Sequence, residues 1–71
     1  MPNWTSASEA LLHRGDRLRL LLHHVDSRIS EERFETFDAL EVETGTIYTF
    51  DGDEKHRYDV TTTEIYVDRS N

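Results

Sequence analysis

Arg17-Leu18-Arg19-Leu20-Leu21-Leu22-His23-His24-Val25 is the stretch whose reading decides the fold. Leu18, Leu20 and Leu22 alternate with Arg17, Arg19 and Leu21, the period of a half-buried strand. Leu11, Leu18, Leu22, Val25 and Ile29 also fall on one helical face. A helix over 8–29 would carry Gly15 in its interior, at a cost of about 1 kcal/mol. The alternation, Gly15 and the adjacent Asp16 favour a strand over 17–25, and the helix stays open as the alternative.

Upstream, residues 1–5 read as a loose arm with Trp4 as its anchor. Ser6 and Ser8 are good helix N-caps, so Ser8–His13 reads as a short helix that Gly15-Asp16 ends. Downstream the signal splits again. Ser30-Glu31-Glu32 resembles a helix start, and Phe34, Phe37 and Leu40 have helical spacing. The same stretch can be one bent strand, with Phe34 and Thr36 in one phase, Phe37 and Ala39 in the other, then Leu40 and Val42. Two phase changes imply bulges.

The C-terminal half is plainer. Val42–Phe50 is rich in β-formers, and Asp51-Gly52-Asp53-Glu54 is a hairpin signal. Tyr58, Val60 and Thr62 alternate with Arg57, Asp59 and Thr61. Ile65 and Val67 continue in the opposite phase, which implies a bulge or break near Thr62-Thr63-Glu64. Asp68–Asn71 is polar. The expected fold is mainly β, one small, strongly bent sheet or barrel with a short N-terminal helix. The alternative is α+β, with helices at 8–28 and 30–41 against a three-stranded antiparallel meander. Residues 1–71 read as a single small domain, with 1–5 and 68–71 flexible.

Composition bounds the function. Seven arginines, one lysine and fifteen carboxylates give a net charge of −7. A carboxylate-rich, lysine-poor surface suits a halophilic protein kept soluble in concentrated salt. The charge is uneven. Residues 31–71 hold four basic and twelve acidic residues, a net of −8, and residues 1–30 carry a net of +1. A chain this short buries only about 60% of its unfolded surface, and without cysteine no disulfide supports the core. A homo-oligomer would be one way to enlarge it. No run approaches the roughly 20 apolar residues of a membrane span, and the start lacks a secretory layout, so the expected location is cytoplasmic.

No motif carries catalysis. There is no nucleophile elbow and no phosphate-binding glycine loop, so the expectation is a protein that is not an enzyme and takes no cofactor. His23-His24 with His13 and Asp26 lacks the i, i+4 spacing of a metal pair, and on a strand the two neighbours point to opposite faces. Asp51, Asp53 and Glu54 lack the twelve-residue pattern of a calcium loop. No metal site is expected. Arg14, Arg17, Arg19, His23 and Arg28 form the one mildly basic stretch and the candidate contact set for nucleic acid or another partner. The overall charge opposes nucleic acid. The expected function is therefore a small acidic binding or adaptor protein for a protein partner, with a nucleic-acid-binding regulator as the alternative. Tyr48, Phe50, Tyr58 and Tyr66 are aromatic positions for packing or for anchoring a partner.

The layout of a short helix, Arg17–His23, a bent strand through Arg33–Asp38, a hairpin at Asp51-Gly52 and a closing Glu64–Val67 resembles small Sm-like and SH3-like barrels. It is similar to the Rho-binding antiterminator family, small acidic Sm-like proteins that engage a termination factor. The resemblance spans about residues 8–67 and implies a barrel and a protein partner. The Sm pocket for RNA has an asparagine shortly after the aspartate of the bent strand. Here Asp38 is followed by Ala39, Leu40, Glu41 and Val42, so no RNA contact carries over.

Overall fold

Residues 3–7, 11–23 and 30–69 are described by the computed structural model. They form one six-stranded antiparallel sheet: β1 (Trp4–Ser6), β2 (Arg17–His23), β3 (Ser30–Glu41), β4 (Thr46–Asp51), β5 (Glu54–Asp59) and β6 (Thr63–Asp68). The spatial order is β1-β6-β2-β3-β4-β5. The protein is mainly β, and no helix occurs among the described residues.

The strand reading of the deciding stretch holds over Arg17–His23, which pairs with β3 on one side and β6 on the other. Leu18 and Leu20 are fully buried, while Arg17 and Arg19 lie on the opposite face. The α+β alternative fails at both proposed helices, because 17–23 and 30–41 are strands. Pairing with β3 on one side and β6 on the other satisfies the backbone groups of β2 from both edges and buries Leu18 and Leu20 on one face, whereas a helix would carry Gly15 in its interior at a cost of about 1 kcal/mol. Of the expected helix at 8–13, residues 8–10 lie outside the described residues, and Leu11–His13 is not helical.

The long β3 alternates Glu35 and Phe37 inward with Phe34 and Thr36 outward. One register shift lies between Phe37 and Ala39, at Asp38. It resets the phase, so that Leu40 faces the buried Ile47 across the ladder. Sequence periodicity implied two phase changes; β3 has this single one. A bulge increases local twist and bends the strand. Asp38 points to the turn before β2, where Arg14 Nε lies 3.0 Å from its carboxylate. Phe37 is held at the same place by backbone bonds to Gly15 and Asp16.

The hairpin forms at the expected place. Asp51 pairs with Glu54, and Gly52 takes a φ of +62°. The break near 62–64 is a turn after Asp59, whose carboxylate accepts the Thr61 N–H at 2.8 Å. Val42–Gly45 is a turn rather than strand, and Val60 and Thr62 likewise lie in a turn. Of the stretches expected to be flexible, residues 1–2 and 70–71 lie outside the described residues, and residues 3–5 meet 67–69. Trp4 pairs with Asp68, and the Arg69 N–H donates to the Asn3 carbonyl at 2.9 Å.

The core is small: Leu18, Leu20, Phe37, Ile47 and Val67, flanked by Leu12, Tyr58 and Ile65. Each such side chain contributes about 1.5–3 kcal/mol on burial, so the fold rests on a handful of residues. Polar groups share the interior: Glu35, Thr49 and Thr63 are buried. Of the two outer strands of the sheet, β1 is only three residues long, and β5 is edged with Glu54, Lys55, Arg57 and Asp59. Short and charged edges discourage strand addition.

Candidate functional site

Two features stand out on the inner side of the sheet. The first is a polar cluster at the β3–β4–β5 end. Glu35 is buried to 1% exposure, placed inward by the alternation that buries Phe37 two residues on. Thr49, opposite Phe37 on β4, donates its hydroxyl to Glu35 Oε1 at 2.6 Å. Tyr58 donates to Oε2 at 2.7 Å, and His56 Nδ1 stands 3.1 Å from both oxygens. His56 lies opposite Thr49, and Tyr58 opposite Ile47, so the pleat of β5 alone delivers both groups. Arg33 sits at the cluster's edge, 3.9 Å from Glu35 Oε2, and its guanidinium is held by Glu31 at 2.8 Å.

Burial acts to raise the Glu35 pKa, but the hydrogen bonds from Thr49, Tyr58 and His56 outweigh it and hold the carboxyl below its ordinary value. His56 is raised, first by its hydrogen bond to Glu35. Burial, then the Glu35 carboxylate, pushes the Tyr58 hydroxyl up to about 12, so it stays a donor at neutral pH. The cluster is thus a charged, hydrogen-bonded unit in which Glu35 accepts and its neighbours donate. Of these residues the sequence singled out Tyr58 alone, as an aromatic position for packing or anchoring a partner, and not Glu35, Thr49 or His56. Glu35 was missed because a carboxylate in an alternating strand is ordinarily assigned to the solvent face. The signal that could have found it is the placement of His56 and Tyr58 two apart on the strand that closes the hairpin.

The second feature is an open cleft of about 490 Å³. Its lining includes Leu12, Leu40, Val42, Ile47, Val60 and Ile65. One wall is β6 with Ser6 and Ala7, and the other is the end of β3 with the turn that follows. The bulge at Asp38 creates it, since without that shift Leu40 would face away from Ile47. Ile47 forms a buried floor, and Val42 is 81% exposed at the rim. Exposed Glu41, Glu43 and Asp59 adjoin the apolar rim positions Leu40, Val42 and Val60. Glu64 lines the cleft itself.

Of the basic stretch expected as a contact set, Arg14, Arg19 and His23 are each met by a carboxylate. Arg14 pairs with Asp38. Arg19 meets Glu32 at 2.6 Å and lies 5.9 Å over the Tyr66 ring. His23 meets Glu64 at 2.6 Å. Arg17 shares the outer face of β2 with Arg19 and is exposed. Arg28 lies outside the described residues. His13 and His23 are not brought together into a metal cluster among the described residues; the group with metal-ligand spacing is Glu35, Asp51 and His56.

The fold and these features define a small antiparallel β domain with a polar interior cluster and an open apolar cleft lined by one acid, Glu64. Comparison with known proteins found no matching family model, no similar curated protein and no similar solved structure.

Proposed function

We propose that this chain is a small non-enzymatic binding module whose cleft takes up an apolar segment with basic flanks from a protein partner. The observation that carries this reading is the cleft itself: apolar walls and floor open to solvent, next to Glu41, Glu43 and Asp59 and lined by Glu64. An exposed apolar surface with a charged border is the usual form of a docking site. The acidic border favours Lys or Arg beside the docked apolar side chains and raises the association rate. A cytoplasmic, salt-adapted setting and an Sm-like, barrel-like curvature belong to the same reading. The curvature is supported by the closing strand β6 returning to pair with β2. Nucleic acid is the weaker occupant, because Arg14, Arg19 and His23 are already met by Asp38, Glu32 and Glu64. Phosphates would have to displace those carboxylates against the net −7.

Selection from a displayed random peptide library tests the proposal. Enriched peptides should carry an apolar centre with Lys or Arg on its flanks. Val42→Asp and Leu40→Asp should each weaken their binding about tenfold or more, near 1.4 kcal/mol, while Arg17→Ala leaves it unchanged. Failure to enrich any peptide, or binding indifferent to Val42→Asp, overturns the reading. Micromolar binding of a mixed RNA or DNA pool that Arg17→Ala and Arg19→Ala abolish would replace it with the nucleic-acid alternative. Self-association lost in Val42→Asp would make the cleft a seam between two copies.

A further inference from the structure

We infer that Glu35, Asp51 and His56 form a site for one divalent first-row transition ion, zinc foremost, that clips β3 to the β4–β5 hairpin. One ligand atom from each residue lies within 4.8 Å of the others, the spacing of donors around a shared ion. The three come from three different strands: Glu35 from β3, Asp51 from the end of β4 and His56 from β5. They owe their meeting to the ladder register, which places Asp51 two residues after Thr49 and His56 directly opposite Thr49.

The surroundings of these groups have the arrangement that orients metal ligands. His56 Nε2 lies 3.3 Å from Glu54, so an N–H there can donate to a carboxylate while Nδ1, the nitrogen facing Glu35, is left to coordinate. A ligating imidazole commonly has its second nitrogen fixed in this way. Glu35 is itself oriented by Thr49 and Tyr58, one hydroxyl on each oxygen, which leaves a lone pair on each for an ion. Charge points the same way. Glu35, Asp51 and Glu54 bring three negative charges to the place; Arg33, 3.9 Å from Glu35 Oε2, offsets part of them but is shared with Glu31 at 2.8 Å. A doubly charged ion offsets most of that surplus, more fully than His56 alone. One imidazole and two carboxylates suit zinc or cobalt(II); an imidazole makes calcium and magnesium poor occupants. Water would complete the coordination.

The competing account is that His56, charged, is simply the counter-ion of Glu35. The test is to treat the folded chain with a chelator, remove the chelator, and titrate with Zn²⁺ and separately with Co²⁺. Calorimetry, the visible spectrum of Co²⁺ and thermal unfolding are the readouts. The expected result is saturable binding of one ion per chain, a rise in Tm, and visible cobalt bands at the intensity of a four- or five-coordinate site. Asp51 is exposed, so Asp51→Asn should fold normally by circular dichroism and yet weaken binding by about tenfold or more. His56→Gln should weaken binding more than Asp51→Asn does, and Glu54→Gln, which removes an orienting group only, should cost about tenfold, the low end of the roughly 10–100-fold such groups contribute. Absence of saturable binding up to millimolar ion overturns the inference. So does binding that is unchanged in Asp51→Asn, or an equal response to Ca²⁺.

Discussion

Arg69 Nη1 stands 3.1 Å from Asp16 Oδ2, which latches the residue after β6 to the turn that leads into β2. The same guanidinium donates to the Leu11 carbonyl. Asp16 Oδ2 also accepts the His13 backbone N–H at 2.7 Å. One carboxylate thus closes the 13–16 turn and holds Arg69, the residue after β6. Burial works against its charge, but the His13 N–H and Arg69 prevail and keep its pKa below the ordinary 3.8.

A pH dependence follows from the sign of that shift. The folded pKa of Asp16 is depressed, so its contribution is present above 3.8 and is lost as pH falls through the lower folded value. Asp16→Asn should lower stability at pH 7 by about 1.5–3 kcal/mol, the worth of a hydrogen bond to a charged group. It should also lose stability less steeply than the parent on acidification below about pH 4. Urea unfolding at a series of pH values reads both. Parallel acid limbs for the two proteins would show that the latch carries no such linkage.

Gly52→Val should destabilise the domain by roughly 1–2 kcal/mol. Gly52 has a φ of +62°, and no atom lies within 4 Å of where a Cβ would stand. The penalty therefore comes from backbone conformation alone. Positive φ at the first loop position only, with Asp53 at negative φ, is the pattern of a type II′ turn, which selects glycine there. Gly52→Asn, which tolerates this region better, should lose less. An unchanged midpoint for Gly52→Val would contradict the turn geometry.

Much of this architecture was legible because its signals are local. Alternation favoured a strand at β2, Asp51-Gly52 marked the hairpin, and the phase reversal between Tyr58 and Ile65 signalled a break, which falls at residues 60–62 rather than at 62–64. What periodicity could not supply was the partner of each face. Phe34 was grouped with Phe37 and Leu40 by spacing, yet only Phe37 is buried among these three, and Phe34 packs outward on Trp4. Glu35 occupies the inward place because Thr49, His56 and Tyr58, remote in sequence, satisfy its oxygens. The cleft depends on the bulge at Asp38, whose position is set by a turn more than twenty residues earlier. The arginine stretch was legible as a composition, but its pairing with Asp38, Glu32 and Glu64 is a matter of tertiary register.

The polar cluster should be costly to break. Glu35→Ala removes a buried carboxylate and leaves the Thr49, Tyr58 and His56 donors without their acceptor. Breaking a buried charged pair costs about 3–5 kcal/mol, a large fraction of what a small domain has. Thr49→Val removes one donor and keeps the shape, so it should cost about 1–2 kcal/mol. Chemical denaturation ranks the two. Equal, small losses would mean that the cluster is hydrated in solution.

Trp4 offers a local probe, since it is the only tryptophan and its ring centre lies 5.7 Å from that of Phe34. β1 is three residues long and pairs with β6 alone among the described strands, and this contact joins it to β3. Phe34→Ala should shift Trp4 emission to longer wavelength while far-ultraviolet circular dichroism keeps the β signal. The half-exposed Phe34 makes the global loss modest, about 1 kcal/mol. Unshifted emission in a folded Phe34→Ala protein would show that Trp4 is shielded by something else.

Molar sodium chloride should stabilise the chain. Two electrostatic effects oppose each other. Exposed pairs such as Arg14–Asp38 and Arg33–Glu31 weaken with salt, but each contributes only about 0–1 kcal/mol. At separations near 3 Å their attraction is also among the least screened. The repulsion within residues 31–71, where twelve acids face four basic residues, acts over longer distances. The Debye length falls from about 10 Å at 0.1 M to about 3 Å at 1 M, so this repulsion is the larger loss. Relief of even 1 kcal/mol would raise Tm by about 4–8 °C in a domain of this size. Glu43 and Asp53 are exposed members of the acidic half. Glu43→Lys with Asp53→Lys should raise Tm at low salt and flatten the dependence, because the repulsion is then removed covalently. A Tm that stays level or falls between 0.1 and 1 M sodium chloride would show that the ion pairs outweigh the net charge. The acid-rich composition would then have to be explained by solubility alone.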